Sequence, residues 1–141
     1  MPNSKPISAS LLVCQTVLHE KTGGPSAIRI MDVLTIGRLS PIAEFTVLTY
    51  LHSNPGDFSS HTLKLQMVGR NDEDWVVVAD APEERFVYGH NIDPSGPGGY
   101  ALTTQFTLNP QVMGSLGLYF VQALLDGDLL AQTPFMLKWR G

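Results

Sequence analysis

The chain has 141 residues, of which 43% are hydrophobic and 16% are charged, so it can bury a core of its own and is not disordered. Its net charge of −4 comes without any cluster of Lys and Arg, which argues against nucleic acid or an anionic membrane as the partner. A single cysteine, Cys14, cannot close an intramolecular disulfide, which argues against a disulfide-stapled secreted domain.

The first predicted element is a strand from about Ser8 to His19. Lys5 followed by the apolar stretch Ile7 to Leu18 has some features of a signal peptide, but the stretch contains several polar residues and lacks a small-residue exit. It is also too short and too polar to span a bilayer. We therefore expect a cytoplasmic protein, or a virion component if the chain belongs to a phage.

Alternation of apolar and polar residues recurs along the rest of the chain and predicts further strands. In the first half they cover about Ser26 to Leu34, Ala43 to His52 and His61 to Val68, and a turn is predicted at Asn54–Asp57. The clearest alternation is in the last of these strands, with inward Leu63, Leu65 and Met67 and outward Thr62, Lys64 and Gln66.

The second half of the chain shows the same pattern. The predicted strands are Trp75 to Ala79, Arg85 to Tyr88, Tyr100 to Leu108, Leu116 to Leu125 and Leu129 to Trp139. Asp126-Gly127, between the last two, is the strongest short hairpin signal. About eight strands without a helix predict an all-β fold in one domain, residues 1–141. We expect a two-sheet antiparallel sandwich, immunoglobulin-like or a related Greek key, with a closed barrel as the alternative.

The opening and closing segments carry residue patterns that occur together in one family. They are Leu12-Val13-Cys14, Val17, Gly24 and Ile28–Val33 near the start, and Gly117-Leu118-Tyr119, Asp126-Gly127, Leu129-Leu130 and Pro134–Leu137 near the end. In these segments the chain resembles an uncharacterised family of small bacterial β-sandwich proteins. The middle of the chain is not matched, and Gln15 and Arg29 depart from the family's pattern. The resemblance implies a β-sandwich of bacterial or phage origin and supplies no site residues.

Two metal hypotheses arise from the titratable residues. The acidic loop residues Asp72, Asp74 and Asp93 are candidate Ca²⁺ ligands, although their spacing does not match a calcium loop. The histidines His19, His52, His61 and His90 form no H-x-H or H-E-x-x-H pair, but His52 and His61 flank one turn and are candidates to face each other. Solvated loop tips and strand-end histidines are the favoured interpretation, so we expect no metal and no cofactor.

Nucleophilic and phosphate-binding sites are not indicated. Cys14, which follows Leu-Leu-Val, is interpreted as a small buried hydrophobe rather than an activated thiolate. The glycine-rich segment Pro94 to Gly99 leads into a predicted strand and has no lysine nearby, so it is interpreted as a structural loop. Neither G-x-S-x-G nor S-x-x-K occurs, which leaves open only a Ser/His/Asp triad assembled from distant residues.

Two predicted strands have more apolar residues than a single buried face requires, which suggests contact with another protein chain. The first strand and the strand from Leu116 to Leu125 are apolar on both faces, whereas a sandwich strand ordinarily has a polar outer face. This surplus predicts a self-association interface or, alternatively, cover by other segments of the same chain. The candidate interface residues are Leu12, Leu18, Tyr119 and Val121.

The leading hypothesis is therefore a non-enzymatic binding or assembly module with a protein partner, forming a homo-oligomer or a larger assembly. One alternative is a structural or decoration protein of a phage or similar particle. Another is a β-sandwich that binds a small ligand or a sugar, for which Trp75, Tyr88 and Tyr100 are the candidate aromatic residues.

The alternation between His61 and Val68 gives a direct test of the strand assignment. Leu65→Asp is expected to prevent folding because it places a charge in the core, whereas Lys64→Asp on the opposite face changes stability little. Circular dichroism and thermal unfolding of the two variants measure the difference. Equal effects would show that this segment is not a strand with one buried face.

Overall fold

The computed structural model describes residues 5–19, 25–36, 43–71, 73–90, 95–109 and 117–139, and these residues form ten β-strands. The strands are β1 (Ser8–His19), β2 (Pro25–Ile30), β3 (Val33–Ile36), β4 (Ala43–His52), β5 (Ser60–Asn71), β6 (Asp74–Asp80), β7 (Glu84–Val87), β8 (Gly99–Leu108), β9 (Gly117–Leu125) and β10 (Asp128–Trp139). Within those ranges, no helix has the length and apolar character needed to cross a membrane.

The strands form two sheets that pack face to face. One sheet has four strands in the order β2-β1-β4-β8, and the other has the order β3-β10-β9-β5-β6, with β7 paired to the start of β5. Side chains from both sheets form one hydrophobic core, so the predicted all-β two-sheet sandwich is confirmed. The order β10-β9-β5-β6 corresponds to the G-F-C-C′ order of immunoglobulin variable domains.

The alternation of apolar and polar side chains explains why these segments form strands with one buried face. In β5 the exposed fraction is at most 1% for the predicted inward residues Leu63, Leu65 and Met67. The outward Lys64 instead forms an ion pair with Asp80 of β6, with 3.4 Å between Nζ and Oδ2. In β4 the buried Phe45 stacks on Phe106 of its own sheet and contacts Phe135 of the opposite sheet, with ring centroids 5.6 and 4.6 Å apart. The core therefore lies between the two sheets.

The predicted strand from Ser26 to Leu34 is wrong, because the structure has two strands there, in different sheets. Near the end of β2, Arg29 has a φ of 58°, in the left-handed region, where a strand is interrupted. The chain then crosses to the other sheet, where β3 pairs in parallel with β10. The prediction of about eight strands in an antiparallel sandwich is corrected to ten strands within the described ranges, where β3 and β10 form a parallel pair.

Two predicted turns are confirmed. At Asn54–Asp57, Gly56 has a φ of 81° and the Asp57 N–H donates to the Asn54 carbonyl oxygen at 3.3 Å. This turn joins strands of different sheets, so His52 and His61 do not face each other, and that hypothesis is wrong. At Asp126-Gly127 the φ values of 51° and 88° are those of the tight turn that closes a two-residue hairpin.

Candidate functional site

A buried histidine lies at the start of β5, between two carboxylates. His61 is 6% exposed; its Nδ1 is 2.7 Å from Oδ2 of Asp126, and its Nε2 is 2.9 Å from Oδ2 of Asp57. Asp57 belongs to the turn before β5, and Asp126 belongs to the β9–β10 turn. Because β9 pairs with β5, the sheet carries Asp126 to the start of β5. We refer to these three residues as the Asp–His–Asp cluster.

Other hydrogen bonds fix both carboxylates. Asp126 accepts the Thr62 N–H on Oδ1 at 2.9 Å, and its own N–H donates to the Thr62 carbonyl oxygen at 2.9 Å. Asp57 accepts the N–H and the hydroxyl of Ser59 on Oδ1, at 3.2 and 2.8 Å. The cluster therefore ties together the turn before β5, β5 itself and the β9–β10 turn.

Aromatic rings cover the imidazole of His61. The ring of Phe86 in β7 lies 5.7 Å from it and the ring of Tyr88 lies 5.3 Å from it, measured between centroids. Tyr100 of β8 stacks on Phe86 with centroids 3.9 Å apart, so this end of the core contains several packed rings. Burial, together with the charges of Asp57 and Asp126, raises the pKa of Tyr88 to about 12.

The charged form of the imidazole is stabilised. Burial alone would lower the pKa of His61, but hydrogen bonds to Asp126 and Asp57 outweigh it and raise this pKa above 6.5. Burial would also raise the pKa of Asp57, but hydrogen bonds from His61 and Ser59 outweigh it and hold that pKa below 3.8. In this charged form both ring nitrogens carry a proton, and each has a carboxylate acceptor.

Ser59, His61 and Asp126 have the spacing of a hydrolytic triad. Ser59 Oγ is 3.2 Å from Nε2 of His61, and Nδ1 of the same ring faces Asp126. A triad requires a neutral imidazole whose Nε2 accepts the serine proton. Here Asp57 lies 2.9 Å from Nε2 and also accepts the Ser59 hydroxyl. In the charged form that both carboxylates stabilise, the imidazole has no lone pair with which to accept the Ser59 proton.

The cluster is not arranged to hold a metal, since the two carboxylates lie at opposite edges of the imidazole and do not converge on one point. Throughout the described part of the chain, no group of three or more His, Cys, Asp and Glu side chains is placed to bind a metal ion. Of the predicted acidic ligands, Asp74 is exposed in β6, and Asp72 and Asp93 lie outside the described residues.

The other residues that the sequence offered as chemical candidates take part in the packing and hydrogen bonding of the fold. Cys14 is fully buried. The part of the glycine-rich segment that the structure describes leads into β8, as predicted, and Gly98 exchanges hydrogen bonds of 2.8 Å with Ser53. His52 pairs with the Ser8 hydroxyl at 2.9 Å. None of these groups joins the Asp–His–Asp cluster.

A second candidate site is the outer face of the six-stranded sheet. In register across this face, Phe120 of β9 lies opposite Pro134 and Val68, and Val68 lies opposite Val77. Trp75 packs its edge against Phe120, with centroids 5.3 Å apart. We refer to the following residues as the outer apolar stripe: Val33, Val68, Trp75, Val77, Leu118, Phe120, Pro134 and Met136.

Polar groups border the outer apolar stripe. Gln66 donates to Gln122 at 2.8 Å, and Gln122 donates to Gln132 at 3.1 Å, so a row of amides crosses three strands beside it. Together with stripe residues, these glutamines line a shallow concavity of about 650 Å³. The guanidinium of Arg70 lies over the ring of Trp75 at 5.7 Å. A hydrophobic centre with a polar rim is the usual anatomy of a protein interface.

The predicted interface residues are only partly on the surface. Leu18 is 52% exposed and Leu12 is half-buried, but Tyr119 and Val121 are 3% and 0% exposed, so their assignment to an interface is wrong. Both face the core, where the Tyr119 ring packs over Gly69, a position with no room for a side chain. The residues of β9 that point outward are the neighbours of Tyr119 and Val121, because adjacent residues of a strand point to opposite faces of the sheet.

The predicted aromatic set does not come together. Tyr88 is buried beside His61, and Tyr100 stacks on Phe86, whereas Trp75 lies on the outer face at the far end of β5. Sequence reasoning did not find Phe120 as the aromatic neighbour of Trp75, although the apolar surplus in its strand was the available signal. It also did not find the Asp–His–Asp cluster, whose local signal is the spacing of Asp57, Ser59 and His61.

No family model and no curated protein matches the chain. Among solved structures it is similar to an alkylpurine DNA glycosylase of Pseudomonas fluorescens, AlkC, bound to DNA containing an abasic site analog. The TM-score is 0.49 and the identity is 11% over 76% of this chain. The chain spans 27% of the length of that glycosylase chain, and a similarity of this size carries no argument about function.

The Asp–His–Asp cluster makes stability depend on pH. The folded pKa of His61 is raised, so its contribution is fully present below 6.5 and is lost as pH rises through the folded value. The folded pKa of Asp57 is lowered, so its contribution is present above 3.8 and is lost as pH falls through the folded value. We expect the cluster to stabilise the fold most between these two values.

Urea unfolding of the wild type and of His61→Gln at a series of pH values measures this effect. At about pH 6 the substitution is expected to lower the free energy of unfolding by about 3 kcal/mol, because it leaves buried carboxylates without a charged partner. The difference between the two proteins is expected to shrink at higher pH. His52→Gln removes a histidine outside the cluster and is the control, and a pH-independent difference for His61→Gln would contradict the interpretation.

Proposed function

We propose that the chain is a non-catalytic binding module that self-associates through the outer apolar stripe. The most direct support is the solvent exposure of large apolar side chains on one face of the six-stranded sheet. The exposed fractions of four of them lie between 41% and 52%: Val33, Trp75, Val77 and Leu118. Contiguous apolar surface of this kind marks contact sites in soluble proteins. Burying it against a partner removes apolar area from water at about 25 cal/mol per Å².

The charges around the stripe favour a second copy of the chain as the partner. Lys64 and Asp80 already pair with each other, and Arg70 and Asp74 add one charge of each sign near Trp75. A two-fold contact brings the same surface to itself, so a rim with both signs can pair acid with base across the interface. Stacked sheets lie about 10 Å apart, a separation that the stripe's own side chains fill.

The protonation state of the Asp–His–Asp cluster supports a non-catalytic role. Ser59 is the exposed serine of the triad-like spacing, but its hydroxyl donates to Asp57 rather than to a neutral imidazole. We therefore expect no labelling of Ser59 by a fluorophosphonate probe under conditions that label an active serine hydrolase completely. Labelling at Ser59 that is lost in Ser59→Ala would show that the chain is an enzyme.

Self-association through the stripe is tested with Val77→Lys, because Val77 is 52% exposed and lies opposite Val68 at the β6 end of the stripe. A lysine there would be desolvated in the interface, so we expect the dissociation constant to rise about 100-fold. Sedimentation velocity over a range of concentrations measures the change. An unaltered association constant would remove the stripe from the interface.

Val87→Lys is the matched control. Val87 is 53% exposed and lies in β7, opposite Ser60 at the start of β5. It is separated from Val68 by about 26 Å along that strand. The control introduces the same charge at the same exposure outside the stripe, so we expect it to leave the association constant within about two-fold of the wild type.

A further inference from the structure

The row of glutamines beside the outer apolar stripe has complementary ends. Nε2 of Gln66 donates to Gln122, and Nε2 of Gln122 donates to Gln132, so both hydrogen bonds run in the same direction across the sheet. The row therefore ends with the amide oxygen of Gln66 on one side and with the NH2 group of Gln132 on the other. Among the described residues, no hydrogen bond reaches either end group. Such a row can continue from its donor end onto the acceptor end of another row.

The two ends of the row lie symmetrically about β9. In register, Gln122 of β9 lies between Gln66 of β5 and Gln132 of β10. Neighbouring strands are about 4.8 Å apart, so both ends lie at the same distance from β9. A two-fold axis that runs parallel to β9 above this face therefore places Gln66 of one copy opposite Gln132 of the other.

The direction of the row distinguishes this axis from others. Facing sheets lie about 10 Å apart, so the amide tips of long side chains from the two copies meet midway. With the axis along β9, Nε2 of Gln132 donates to Oε1 of Gln66 in the second copy, and symmetry repeats the bond. An axis across the strands places Gln66 opposite Gln66 and Gln132 opposite Gln132, so that like end groups meet.

The axis along β9 also covers exposed apolar side chains of the stripe. Phe120 lies on β9 and meets Phe120 of the second copy, which forms an aromatic pair. The register places Trp75 of β6 and Val33 of β3 at the same level, each two strands from β9 and on opposite sides of it. The axis therefore brings Trp75, which is 44% exposed, over Val33 of the second copy, which is 41% exposed. Both side chains are then removed from water.

We propose that the glutamine row sets the orientation of the self-association contact, with β9 facing β9 and Gln66 of each copy paired with Gln132 of the other. This arrangement rests on the proposed self-association through the outer apolar stripe. Apolar contacts are non-directional and do not by themselves fix how a second copy is turned. Amide groups that leave water need hydrogen-bond partners, so orientations that bury an end of the row without one are disfavoured.

Opposite charges at facing positions test the orientation. Gln66→Glu and Gln132→Lys are prepared as separate proteins, one of which carries a fluorescent label, and association is measured by sedimentation velocity at low ionic strength. The equimolar mixture is expected to associate at least about ten-fold more tightly than either variant alone, because the new carboxylate faces the new ammonium group.

A mixture of Gln66→Glu and Gln66→Lys is the matched control. It contains the same two charges, but in the proposed orientation each faces an unaltered Gln132, so we expect no gain over the separate variants. A gain in this control mixture without a gain in the first would overturn the orientation and indicate an axis across the strands.

A second pair of variants repeats the test at exposed positions, where the side chains contribute less to folding. Val33→Glu and Trp75→Lys are expected to associate more tightly as a mixture than separately, since these positions also face each other. If Val77→Lys weakens association but neither mixture exceeds its separate variants, the orientation is wrong and the stripe remains the contact. If Val77→Lys leaves association unchanged, the stripe is not the contact and the proposed function fails together with the orientation.

Discussion

The contact between Phe45 of β4 and Phe135 of β10 joins the two sheets, and the remaining structure depends on packing of this kind. Both rings are at most 2% exposed, and Phe106 extends the cluster along the four-stranded sheet. Once these residues face inward, the two-residue period of each strand determines which side chains lie on the outer faces. The outer apolar stripe is therefore not covered by the core, because its residues occupy the alternate positions of strands whose other face is already buried.

The Asp–His–Asp cluster closes one end of the same sandwich. It links the connection between the sheets at Asp57 to the β9–β10 turn at Asp126, two segments that no backbone ladder joins directly. Its spacing resembles that of a catalytic triad, with a second carboxylate at the position where a triad histidine faces its serine. The additional carboxylate on Nε2 stabilises the charged form of the imidazole, and the three charged groups then tie the two turns to the start of β5.

Alternation, turn residues and the absence of long helical periodicity were sufficient to predict the two-sheet sandwich, since each is a local property of the chain. The split at Arg29 was not predictable from them, because a positive φ at a non-glycine residue leaves no reliable mark in the sequence. The faces of β9 were misassigned for a related reason, since a strand apolar on both sides does not reveal which side meets the core. The cluster was missed because Asp126 is distant from His61 in sequence and its role in the turn already explained it.

The outer apolar stripe would be hazardous in isolation, because an exposed apolar face favours unspecific aggregation. Two-fold pairing limits that hazard, since each contact consumes the same patch on both copies and leaves none of it for a third. A net charge of −4 on each chain adds only a weak repulsion between copies at physiological ionic strength, where charges more than about 8 Å apart are largely screened. The extent of self-association is then set by the contact through the stripe and by protein concentration.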